Sequence, residues 1–216
     1  MSEHRIRIVI VDDQALFRGG IAMLIQSQSD LELVGEAGNG ADALSLVSAT
    51  APDLVLMDLR MPVMDGIEAT ERLMAAPAPP RVLVLTTFDL DASAARAIRA
   101  GASGFVLKDA DPEFLLAAIR TVHAGSAVIA PSAVTALLEH LGGASRPEPP
   151  EFGALTARER EIFLLAARGL SNTEIAHREY VSEATVKTHI SRVLSKLALR
   201  DRVQLVVYAH DHALLR

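Results

Sequence analysis

The 216-residue chain has no cysteine and no tryptophan, and only six phenylalanines and two tyrosines. Without thiols it can form no disulfide, no thiolate metal site and no cysteine nucleophile, a usage that suits a reducing cytosol. Eight aromatic side chains are few for enclosing a large apolar ligand. The first apolar run, Ile6 to Val11, ends at Asp12-Asp13 after six residues, too short for a signal-peptide core or a membrane span. A soluble, cytoplasmic protein with no membrane partner is expected.

What is present is a chain half apolar by composition and long enough for two domains. The net charge of −6 is unevenly spread. Residues 1–141 hold ten Lys/Arg against eighteen Asp/Glu, residues 142–153 one against two, and residues 154–216 ten against seven. An acidic part is thus followed by a mildly basic one, and the two have different work to do.

The acidic part alternates short aliphatic runs with helical stretches. Ile6–Val11, Leu31–Val34, Leu54–Met57, Val82–Leu85 and Phe105–Leu107 read as strands, and Gln14–Gln28, Ala41–Ser48, Gly66–Met74, Ala92–Ala100 and Pro112–His123 as helices. Unbroken Val/Ile/Leu runs argue for strands covered on both faces, so five βα units predict a doubly wound, flavodoxin-like parallel sheet. Residues 1–125 form this domain. Residues 126–153 are predicted as a linker, with a helix near 131–141 before the Gly/Pro-rich stretch Gly142 to Pro150. Residues 154–216 are predicted as a four-helix unit. Thr156 with Glu159 and Ser171 with Glu174 fit the capping box, Gly169 suits a helix end, Ser182 can cap a third helix and Asp201 starts a fourth.

Asp12-Asp13, Asp58, Thr86 and Lys108 each follow or end one of the predicted strands. In open parallel sheets the carboxyl edge is where ligands bind, so their chemistry converges there. One Asp after a strand is ordinarily a cap or a solvated turn; acids, a hydroxyl and a lysine after successive strands are harder to assign to capping. Clustered carboxylates repel one another by about 1 kcal/mol per pair at 4 Å in water and several-fold more when buried, so a counter-charge is required. Mg²⁺ suits all-oxygen ligands and keeps waters that a phosphate can replace. A carboxylate nucleophile, a metal, a cation and a hydroxyl donor are the parts of phosphoryl transfer.

The segments IVIVDDQALFRGG, DLVLMDLRMPVMDGIEAT, VLVLTTFD and GASGFVLKDA together resemble the receiver domain of bacterial two-component response regulators, over residues 5 to about 125. The resemblance implies that Asp58 accepts a phosphoryl group from a sensor histidine kinase. It implies that Asp13, Asp58 and the backbone carbonyl of Arg60 ligate Mg²⁺, with Asp12 acting through metal-bound water. Thr86 and Lys108 would contact phosphoryl oxygens, and Phe105 would be the switch aromatic, in place of the commoner Tyr. Met61-Pro62 and Asp65-Gly66 would shape the loop after the acceptor.

In the basic part, Ile162, Phe163, Ala166, Ile175 and Ala176 recur at helical spacing as a core stripe. The helix from Ser182 to Leu197 puts Val186, Ile190, Val193, Leu194 and Leu197 on one side, leaving Lys187, Thr188, Ser191 and Arg192 elsewhere. A capped helix, a short turn and a second capped helix fit a helix-turn-helix whose second helix enters the major groove of double-stranded DNA. This segment is similar to the LuxR-type DNA-binding domain, and the whole chain resembles NarL/FixJ-type response regulators. The likeness implies that Lys187, Thr188 and Ser191 lie nearest base edges and Thr185, Arg192 and Lys196 nearer phosphates of promoter DNA. The phosphorylated form would pair as a homodimer, with RNA polymerase a further partner. His189, alone on its helix, reads as a packing or phosphate-facing residue. Glu179, four residues after Ile175, falls on the core stripe where this family carries Leu; an unpaired buried carboxylate there predicts weakened packing.

Two other readings remain at this point. A Mg²⁺-dependent phosphohydrolase would also use an aspartyl phosphate, though Asp58 is followed by Leu59-Arg60 rather than by a general acid. A ligand-sensing DNA-binding protein would need a more aromatic front domain. The expected function is a phosphorylation-switched transcription regulator and not an enzyme.

Overall fold

The structure is a computed structural model that describes residues 5–86, 92–125, 149–212 and 214–215. The chain divides into two compact units, residues 1–129 and 130–216. The helix expected near 131–141 lies outside the described residues, as does most of the expected linker.

The first unit alternates β1 (Ile6–Val11), α1 (Ala15–Gln26), β2 (Leu31–Ala37), α2 (Gly40–Thr50), β3 (Leu54–Asp58), α3 (Gly66–Met74), β4 (Arg81–Thr86), α4 (Ala92–Ala100), β5 (Gly104–Leu107) and α5 (Pro112–His123). All pairings are parallel and the strand order is β2-β1-β3-β4-β5. From β1 the chain first moves to one side and then returns to the other, so the order reverses between β1 and β3. At such a reversal the connections diverge to opposite faces and leave a crevice at the strands' carboxyl ends. The residues at those ends are Asp12-Asp13 and Asp58.

Every residue of β3 is buried, as the unbroken aliphatic run requires. Ile6, Ile8 and Ile10 of β1 pack with Ile21 and Ile25 of α1 and Leu116 and Ile119 of α5, while Val9 and Val11, equally buried, alternate to the opposite face. The edge strand β2 departs from the prediction. It is only partly covered, and it runs on through Gly35, Glu36 and Ala37, which pair with Val9, Ile10 and Val11 after a register shift. Those three residues have no strand-like character of their own; the ladder offered by β1 recruits them.

The second unit comprises a short helix α6 (Pro150–Gly153), then α7 (Ala157–Ala167), α8 (Asn172–Glu179), α9 (Glu183–Lys196) and α10 (Arg202–Asp211). Both predicted capping boxes are formed, Ser182 accepts from the Thr185 amide, and Asp201 accepts from the Gln204 amide. Gly169 has φ +89° behind α7, a conformation that favours glycine. Phe163 is fully buried at the centre, edge-on to Phe152 at 5.0 Å and to Tyr208 at 6.1 Å. Phe152 stands in α6, so packed structure begins a few residues before the predicted start at 154. The Pro149-Pro150 pair initiates this helix rather than prolonging a linker, because proline is well tolerated in a helix's first turn.

Candidate functional site

The geometry at the β1/β3 reversal follows from strand ends and local hydrogen bonds. Asp12 is fully buried. Its amide donates to the Ala37 carbonyl at 3.1 Å, its Oδ1 accepts from the Gln14 amide at 2.9 Å, and its carbonyl accepts from Arg18 at 2.6 Å. Asp13 is exposed beside it. Carboxylate oxygens of Asp12, Asp13 and Asp58 lie within 4.8 Å of one another. Lys108, one residue beyond β5, places its Nζ 2.6 Å from Asp12 Oδ2 and 3.2 Å from Asp58 Oδ2, with its side chain only 7% exposed. Its amide donates to the Thr86 carbonyl at 2.7 Å, which ties the ends of β4 and β5 together. Phe105 is buried in β5, opposite Val84.

Burial is the main influence on Asp58 and raises its pKa above the ordinary carboxylate value; Lys108 opposes this, Asp12 adds to it, and a hydrogen bond from the Arg60 amide also lowers it. The neutral form is therefore favoured more by the folded than by the unfolded chain. Below the ordinary value both states are protonated and nothing is lost; as pH rises through the folded pKa, ionisation costs stability. Asp58→Asn is accordingly expected to raise the melting midpoint of the first unit at pH 7. The gain should vanish near pH 3; thermal melts at both values check it, and an equal gain at both would refute the assignment.

The loop after Asp58 is under local constraint. The Met64 amide donates to the Pro62 carbonyl at 2.8 Å across Val63, whose φ is +70°, a γ-turn that β-branched residues seldom adopt. Burial of Met64 and the bond from the Gly40 amide to its carbonyl at 3.0 Å hold the turn closed. Asp65 then caps α3 by accepting from the Glu68 amide. Pro62 and Gly66 announced a shaped loop; nothing about Val63 signalled the strain.

In the second unit, Val186, Ile190, Val193 and Leu197 are buried, whereas Lys187, Thr188, Ser191 and Arg192 are exposed on the other side of α9. Thr185 is half-buried, with its hydroxyl 2.8 Å from that of Ser182 in the cap. Lys196, expected to face phosphates, has its Nζ 2.6 Å from Glu159, a nearly buried residue of α7. That hydrogen bond, aided by the Thr156 amide, holds the Glu159 carboxyl at about 2, so this carboxylate is ionised at neutral pH. The tertiary fold thus commits Lys196 to its own domain, a use that helical periodicity could not reveal.

Glu179 requires a correction. It is not an unpaired carboxylate, because Arg158 of α7 forms an ion pair with it and also donates to its backbone carbonyl. Arg158 also bonds Glu161 within α7, so one guanidinium serves both helices, and its pair with Glu179 ties α7 to α8 where weakened packing was expected. Removing one partner should cost more than removing both. Arg158→Ala is expected to destabilise this domain by about 1 kcal/mol, with most of the loss recovered in Arg158→Met combined with Glu179→Leu. Denaturant unfolding of the full chain would show this; a double variant weaker than the single one would count against it. Arg202 was also missed. It is partly buried and donates to the Leu170 carbonyl and, at 2.9 Å, to Asn172 Oδ1, clamping α10 to the α7–α8 turn. Burial lowers its pKa to about 10.

The model of the response regulator receiver domain matches residues 8–120, and that of the LuxR family of bacterial regulatory proteins matches residues 153–209. The chain is 40% identical over 211 residues to the transcriptional regulatory protein LnrK of Bacillus subtilis, covering 94% of this chain and 96% of LnrK. It is 39% identical over 211 residues to the response regulator VraR of Staphylococcus aureus, covering 98% and 99% of the two chains. Among solved structures, the response regulator ChrA of a heme-sensing two-component system is 36% identical, covers 95% of this chain and 96% of its own, and aligns with a TM-score of 0.54.

Proposed function

Because the chain belongs to the response regulators that join a receiver domain to a LuxR-type DNA-binding domain, we propose that Asp58 is its phosphoacceptor and that α9 reads promoter DNA. The observation that carries the reading is the placement of Lys108 within 3.2 Å of carboxylates from the ends of both β1 and β3. Asp58 is the nucleophile: it ends β3, is 5% exposed, and its carboxylate is held by the Arg60 amide and Lys108. Thr86, at the end of β4, supplies a hydroxyl to a phosphoryl oxygen, and Lys108 supplies a fixed positive charge.

The three aspartates also fit a magnesium ion, since their hard oxygen donors converge within 4.8 Å and Asp13 leaves the site open to solvent. Asp13, Asp58 and the Arg60 carbonyl would hold it, with Asp12 reaching it through water. When bound it would neutralise charge between the carboxylates and the phosphoryl oxygens. The donor is a sensor histidine kinase and the site of action the cytoplasm, where DNA is accessible; among the described residues no helix is long and apolar enough to cross a membrane.

A phosphoryl group on Asp58 adds charge in a pocket that Lys108 and Thr86 border. Two receiver states that differ in how they meet this charge are shifted in population, with Phe105 in the inward position of the switched state. Phosphorylated copies pairing as a homodimer would present two α9 helices to adjacent half-sites, raising affinity by linkage alone. Lys187, Thr188 and Ser191 face base edges; Thr185 and Arg192 face phosphates, and Lys196 reaches them only if it leaves Glu159.

The test is binding of the full chain to genomic DNA fragments with and without acetyl phosphate and Mg²⁺, for the wild type and Asp58→Asn. The wild type should gain about tenfold in affinity and Asp58→Asn should not respond. An equal response from Asp58→Asn would overturn the assignment. Arg192→Ala in the same assay should flatten the salt dependence by about one unit of slope.

A further inference from the structure

Phe17 carries no reactive group, yet it touches the site. Phe17 is the third residue of α1, half-buried against the receiver core, and its ring centroid lies 4.9 Å from Lys108 Nζ. The ammonium therefore meets Asp12, Asp58 and the face of an aromatic ring. Phe17 and Lys108 also line an open groove of about 780 Å³ together with Gln14, Leu16, Leu107 and Pro112, so ring and ammonium meet at a solvent-accessible surface.

We propose that Phe17 is a positioning residue for phosphoryl transfer to Asp58: its ring holds the Lys108 ammonium against the carboxylates and lets it move onto an incoming phosphoryl group. This rests on the reading of Asp58 as acceptor. The physical reason is the form of the attraction. A ring face attracts a cation through its quadrupole, without a directional hydrogen bond, and the attraction strengthens as water is excluded. A water or carboxylate in that place would bind the ammonium in one direction and resist its displacement. A non-aromatic side chain would fill the space without holding it.

In the step concerned, an Asp58 carboxylate oxygen bonds to the phosphorus of acetyl phosphate. The bond from phosphorus to the acetyl oxygen breaks, and acetate leaves with that electron pair. Lys108 keeps its proton throughout and only shifts its hydrogen bonds from Asp58 toward phosphoryl oxygens.

The full chain is incubated with acetyl phosphate and Mg²⁺, and the rate of Asp58 phosphorylation is followed by intact mass, with melting midpoints measured for every variant. Phe17→Leu is expected to slow the reaction about fivefold, and Phe17→Tyr or Phe17→Trp to restore it to within about twofold of the wild type. Phe17→Met serves as a second non-aromatic variant should Phe17→Leu melt below the assay temperature. In a Lys108→Met background Phe17→Leu should have no further effect, since the two residues act as one unit. Independently of phosphorylation, the ε-methylene protons of Lys108 should be shifted upfield by the ring in NMR spectra of the wild type and return to ordinary values in Phe17→Leu. A phosphorylated wild type matched in rate by Phe17→Leu and Phe17→Met would overturn this proposal alone. A wild type that takes up no phosphoryl group on Asp58 would sink the acceptor reading, and this proposal with it.

Discussion

Gly66→Ala is expected to destabilise the receiver by about 3 kcal/mol and to depress phosphorylation of Asp58 along with it. Helix propensity points the other way, because alanine in place of a helical glycine ordinarily gains about 1 kcal/mol. Sterics decide the sign here. A Cβ on Gly66 would lie 1.9 Å from the backbone oxygen of Asp58 and 2.9 Å from its carbonyl carbon. Asp58 cannot yield, because β3 is laddered to β4 with Asp58 opposite Leu85. The start of α3 must move instead, although the Gly66 amide donates to the Leu59 carbonyl at 3.1 Å and Asp65 caps the helix. Denaturant unfolding reads the loss; a midpoint equal to that of the wild type would mean that α3 slides freely, contrary to the packing described above.

The second large effect concerns charge. Lys108→Met retains most of the buried stem and removes only the ammonium, leaving Asp12 and Asp58 facing one another without a counter-ion. Breaking a buried pair on one side costs about 3 kcal/mol, and that loss is expected at pH 7. Its pH dependence has a definite sign. Asp58 is already raised by burial and held back mainly by Lys108, so its pKa rises further in the variant. A carboxyl whose folded pKa is raised favours the folded state at low pH and loses that advantage as pH rises through the folded value. The difference between variant and wild type should therefore shrink as pH falls from 8 toward 5. Millimolar Mg²⁺ should stabilise Lys108→Met more than the wild type, because the ion replaces the missing positive charge. Thermal melts over that range, with and without Mg²⁺, check both expectations; a gap independent of pH would show that the carboxylates do not interact through Lys108.

Most of the receiver could be read without coordinates, for an identifiable reason. Buried parallel strands must be continuously apolar, so β1, β3, β4 and β5 appear as aliphatic runs, and residues ending such runs occupy the sheet's carboxyl edge. Asp12, Asp13, Asp58 and Lys108 could thus be grouped before their distances were known, and Thr86 assigned to the same edge as the end of β4. Helix starts were equally legible, because a capping box is a local device in which side chain and amide lie three residues apart, as in Thr156–Glu159 and Ser171–Glu174. β2 was legible only in its first half, since Gly35, Glu36 and Ala37 become strand by pairing with β1 rather than by their own preference.

The order of elements, the sheet edge that gathers the acids and the apolar side of α9 are legible along the chain, because each depends on periodicities of a few residues. Tertiary structure alone decided the partners of the charged and aromatic side chains: Glu179 with Arg158, Lys196 with Glu159, and Lys108 with Phe17. Those pairs span 21, 37 and 91 residues of chain. Local pattern carries no information at such separations; only the packing of whole helices and strands brings the partners within a few ångströms, where desolvation makes an ion pair or a ring face count.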